Sequence, residues 1–166
     1  MDHLSTRLSV WLALTLFVVA QVARRSTTAQ TRSVGRWLFG VGWTAFLCHV
    51  LLAFEMHYGW SHATALAETA TQTQALTGVR TGGGLYLNYA FGLIWLADLS
   101  SWNTTDARAP TRLTWIARAF FVFMIVNGAV VFVDGPQRWF GLALVGALLY
   151  SWRPSTSRGA VARFEN

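Results

Sequence analysis

The chain has 166 residues, of which 54% are hydrophobic and only 12% charged, and it carries nine tryptophans and a formal net charge of +6. Soluble domains carry about 25% charged residues, so the composition excludes an ordinary water-soluble fold and predicts a one-domain, all-α integral membrane protein. The basic residues are all arginine and lie mostly between apolar segments, which makes the charge a matter of membrane topology and argues against nucleic acid as a partner.

Five apolar segments are read in chain order: 8–23, 37–57, 85–101, 113–133 and 137–152. Each comes near the roughly 17–25 helical residues that cross about 30 Å of hydrocarbon. The expectation is about five transmembrane helices within a single helical membrane domain, 1–153, followed by a disordered cytoplasmic tail, 154–166, rich in Ser, Arg and Gly. The first segment is read as a retained span, because Arg24 and Arg25 follow it like a stop-transfer flank. Its only polar side chain at mid-depth is the Thr15 hydroxyl, so it is expected at the periphery, with spans two, three and four forming a polar core.

Arg24, Arg25, Arg32 and Arg36 fall in the first connection, Arg108 and Arg112 in the third, and Arg153, Arg158 and Arg163 in the tail. Only Arg7, Arg80 and Arg138 fall on the opposite side. This bias places the N-terminus outside and the C-terminus in the cytoplasm of a cell (plasma or inner) membrane. Trp37, Trp60, Trp102, Trp115, Trp139 and Trp152 all map near predicted interfaces, where an amphipathic ring is favoured. The single Cys48 lies mid-helix and is expected to be a small buried packing residue.

The second connection differs from the rest. Residues 61–77 have helix formers, with Ser61 placed as an N-cap and Gly78 as a stop, and predict one amphipathic extracytoplasmic helix packed over the ends of the spans. Gly82, Gly83 and Gly84 then allow a sharp return into the third span. Further on, "DGPQ" at 134–137 predicts a tight turn, and Ala143 with Ala147 forms a small-residue pair suited to close helix contact.

With that topology, all four histidines map to the outer half. Glu55 and His57 lie at the outer end of span two, with His49 deeper. His62 and Glu68 follow on the outer helix, while Tyr86, Asn88 and Asn127 lie at the outer ends of spans three and four. His49 and Met56, seven apart, share a helix face, and His57 stands about 80° around from His49 on a regular helix. Imidazoles and carboxylates together suit a transition metal, so His57, His62, Glu55 and Glu68 are candidate ligands, His49 a candidate cofactor contact, and Tyr86, Asn88 and Asn127 supporting partners. A bis-histidine haem fits less well, because only His49 is deep. Two other readings stay open: a structural or assembly subunit whose polar groups bind helices together, with membrane-protein partners or a homo-oligomer, and a proton or small-solute transport component. No hydrolase or metalloprotease pattern specifies a reaction. On the inner side, Asp98 and Arg118 are expected to form an ion pair that fixes the register of spans three and four.

Overall fold

The computed structural model describes residues 2–102, 112–133 and 135–153, the side chains of Asp2 and His3 excepted. The tail from 154 onward, most of the connection after Trp102, and Asp134 of the expected turn lie outside the described residues. All regular structure among them is helical: α1 (Asp2–Ala23), α2 (Ala29–Ala53), α3 (His62–Thr77), α4 (Gly83–Ser100), α5 (Arg112–Val126) and α6 (Gln137–Ser151). Two five-residue π-helical turns, Phe54–Tyr58 and Asn127–Val131, extend α2 and α5. Three of the helices are long and apolar enough to cross a membrane: Leu4–Ala23, Ala29–Tyr58 and Arg112–Val131.

Local chemistry explains the boundaries. Thr28 accepts a hydrogen bond from the Thr31 amide and starts α2 well before its apolar run begins. Arg32 and Arg36 therefore sit on the first turns of a helix rather than in a connection, which shortens to residues 24–28. With its π turn, α2 covers 30 residues, about 45 Å at 1.5 Å per residue, so its polar beginning reaches beyond the apolar part. The third helix begins and ends as its sequence predicts. The Ser61 side chain accepts from the Thr64 amide, and Gly78 closes the helix in the left-handed region at φ 77°.

Packing reverses one expectation. α1 lies at the centre of the core: Ala13, Leu14, Phe17, Val18 and Ala20 are buried, and its pairing with α2 is the most extensive in the molecule. The reason is shape. A β-carbon added at Gly42 would sit 3.1 Å from Leu16 Cβ and from the Trp95 ring, and one at Gly35 would sit 2.9 Å from Ala23 Cβ. Two glycines seven apart let the α1 backbone approach closely, which apolarity alone does not reveal. Around Phe17 the rings of Phe39, Phe91, Trp95 and Phe121 pack at centroid distances of 4.8–6.3 Å, drawing α2, α4 and α5 onto α1.

Three other positions differ from expectation. Cys48 is exposed, on a face of α2 turned away from the bundle. Trp102 is buried in the core, while Trp37, Trp60, Trp115 and Trp139 are exposed. In α6 the close approach occurs at Gly141, where an added β-carbon would lie 2.2 Å from the Ala129 carbonyl oxygen; Ala143 is exposed.

Candidate functional site

Gly35, Phe39, Gly42 and Phe46 form the buried stripe of α2, spaced by alternating steps of four and three. The same spacing continues through His49 to Met56, so these two side chains lie on the seam that faces α1. α1 runs antiparallel alongside and presents Ser5, Thr6 and Ser9 to them. His49 Nδ1 lies 2.9 Å from the Thr6 carbonyl oxygen and 3.4 Å from Ser9 Oγ. A carbonyl can only accept, so in the neutral ring Nδ1 carries the proton and Nε2 keeps its lone pair. The Ser9 hydroxyl donates to the same carbonyl at 2.9 Å.

Thr6 serves a second histidine through its side chain. Its Oγ1 is 3.5 Å from His57 Nε2 and 3.8 Å from Met56 Sδ, and Ser5 Oγ is 3.5 Å from that sulfur. A regular α-helix turns about 100° per residue. The π turn at Phe54–Tyr58 winds less, so His57 falls back from its expected phase toward the His49 face. One threonine thereby holds two imidazoles, by its backbone and by its hydroxyl.

The other expected site residues go elsewhere. Gly59 and Trp60 both adopt left-handed conformations, φ 51° and 59°, and reverse the chain. Beyond that reversal the His62 ring lies 5.8 Å from Tyr86 and 6.2 Å from Tyr89, against the start of α4, while His57 faces α1. The Glu55 carboxylate accepts from the Trp60 indole. Glu68 is exposed on α3, within electrostatic reach of Tyr58. Asn88 lines an apolar groove of about 270 Å³ between α2 and α4 with Trp43, Phe46 and Tyr89. Asn127 donates to the Phe123 carbonyl of its own helix at 2.8 Å and opens the second π turn. Among the described residues, no group of three or more His, Cys, Asp and Glu side chains converges where it could hold a metal ion.

At the far end of α1 the Asp98 carboxylate is the centre of a second polar knot, with a different partner from the one expected. Arg24 Nη1 lies 3.1 Å from Asp98 Oδ1, and the Gln21 amide donates to Oδ2 at 3.2 Å. Arg24 also donates to the Trp102 carbonyl at 3.3 Å and lies 4.3 Å over the Trp102 ring. The Trp152 indole donates to Gln21 Oε1 at 3.4 Å, tying α6 into the knot. Arg118 packs over Trp115 and Trp152, at 5.2 and 5.3 Å.

The sequence reading missed Thr6, Ser9, Gln21 and Arg24. Thr6, Ser9 and Gln21 lie on the helix expected at the periphery and Arg24 directly follows it; the signal that could have found Thr6 is spacing, since Thr6, Ala13 and Ala20 repeat every seven residues, as do Gly35 and Gly42. Comparison with protein-family models, curated proteins and solved structures finds no match to this chain.

Proposed function

We propose that the chain is a five-crossing integral membrane protein, with its N-terminus outside and its C-terminus in the cytoplasm, that works as a structural or assembly subunit of a membrane complex. One observation carries this reading: polar contacts between helices close both ends of the α1 seam, with Thr6 and Ser9 on His49 and His57 at one end and Arg24 and Gln21 on Asp98 at the other. Such contacts hold helices in register in a medium where apolar side chains gain little by meeting one another. Leu8, Leu12, Val19, Leu93, Ile116 and Leu142, from four helices, stay exposed and offer surface to lipid or to a partner. α6 supports the partner reading: its 15 residues reach only about 22 Å, short of the roughly 30 Å hydrocarbon layer, and such a helix is accommodated by bilayer thinning or by association.

The test is native gel electrophoresis from membranes in mild detergent, together with elemental analysis and a visible spectrum of protein purified without chelator. The expected result is an assembly larger than one chain and neither a stoichiometric metal nor a haem band. A monomer in native membranes overturns the assembly reading. A second reading, a cofactor at His49, is favoured by the Nδ1 bond to the Thr6 carbonyl, because that is how a protein orients an imidazole so that Nε2 can act as ligand or base. A stoichiometric metal or haem lost in His49→Ala would establish it.

A further inference from the structure

Two arginines meet near the C-terminal end of α6 on one exposed aromatic ring. Arg25 lies 5.4 Å over the Tyr150 ring and donates to the Tyr150 carbonyl. Arg153 lies 5.9 Å from the centre of the same ring, so the two guanidinium groups are no further apart than the sum of those distances. Among the described residues neither has an ion-pair partner. An anion arriving at this exposed ring meets two guanidinium donors, each able to make a charge-assisted contact. The Tyr150 ring favours this placement of both guanidinium groups through cation–π contact.

The ends of α1 and α6 that carry this clamp also carry exposed apolar side chains, Val22 and Leu149, one turn back from Arg25 and Arg153. A ligand that fits both features has a phosphate head and hydrocarbon tails. We propose that Arg25, Arg153 and Tyr150 bind the phosphate of an anionic membrane phospholipid whose tails lie over Val22 and Leu149. This inference rests on the membrane reading above. Basic pockets between transmembrane helices bind such head groups, with each arginine worth about 1 kcal/mol near a surface.

The experiment uses the full chain in nanodiscs of phosphatidylcholine with increasing phosphatidylglycerol, reading bound lipid by native mass spectrometry and folding by thermal denaturation. Incorporation into pure phosphatidylcholine discs is measured first, since failure there would sink the membrane reading itself. Given incorporation, Arg25→Gln and Arg153→Gln should each lower phosphatidylglycerol retention about 5-fold, and Tyr150→Leu should lower it where Tyr150→Phe does not. Arg36→Gln, an exposed arginine on the first turns of α2 outside the clamp, is the charge-matched control and should change little. An equal loss in Arg36→Gln would show diffuse charge and overturn the site. Displacement of the lipid by millimolar inorganic phosphate would show an anion site with no use for the tails, and would equally overturn the lipid assignment.

Discussion

Asp98 takes Arg24 as its partner because Arg24 lies just past the end of α1, where its long side chain can fold over the Trp102 ring and reach carboxylate and carbonyl together. Arg118 instead packs over two indoles, outside ion-pair distance of Asp98. Asp98→Asn should therefore destabilise the protein by about 1–3 kcal/mol, the usual consequence of leaving a partly buried charge unpaired. A double-mutant cycle in a detergent thermal assay should show strong coupling of Asp98 to Arg24 and weak coupling to Arg118; the reverse pattern would reject the assignment. At the other end, Thr6→Val removes the hydroxyl beside His57 but keeps the carbonyl that His49 uses. The expected loss is about 0.5–1.5 kcal/mol. Nitrogen-15 NMR of labelled histidines should show the Nδ1–H form of His49 unchanged and the His57 resonances shifted. A changed His49 tautomer would mean that the carbonyl does not set it.

Helix contacts depend on where side chains are missing. At Gly141 an added β-carbon would lie 2.2 Å from a backbone oxygen of Ala129, and backbone cannot swing aside as a flexible side chain can. Gly141→Ala should cost about 1–3 kcal/mol or more, while Ala143→Leu, on the exposed side of the same helix, should be nearly neutral in the same melt. Gly82 follows the same logic. Its φ is −84°, which any residue adopts, but a β-carbon there would come within 2.6–2.7 Å of the Leu66 side chain and carbonyl, so the glycine serves the packing of α3 on α4. Cys48, exposed on α2, should react with a small maleimide in the folded protein in detergent, where the thiol can ionise. No reaction there, with reaction after denaturation, would show that the thiol is covered.

For the whole molecule, the antiparallel course of the helices brings Thr6, His57 and Tyr86 to one end and Arg24, Asp98 and Trp152 to the other. Reporter fusions in the Val79–Thr81 segment and at the C-terminus should report outside and inside. A cytoplasmic reading for the α3 side would invert the proposed topology and move the histidines to the other compartment.

The boundaries of α3 were legible in the sequence because its caps are local, whereas α2 begins at Ala29, ahead of the apolar run that marked it. Ser61, Gly78 and the apolar runs act within a few residues, and 62–77 folds as the helix that 61–77 predicted. Composition and the length of the apolar runs pointed to the all-helical class that the structure shows. The partners of the polar residues were not legible, because each depends on helix phase and on which helix lies alongside. A short stretch of π winding turned His57 toward Thr6, and the reversal at Gly59 and Trp60 sent His62 to Tyr86 and Tyr89, separating residues that lie five apart in the chain. The central place of α1 was decided in three dimensions for the same reason: glycines on α2 admit its backbone, and a contact between two helices is a property of the pair that neither segment carries alone.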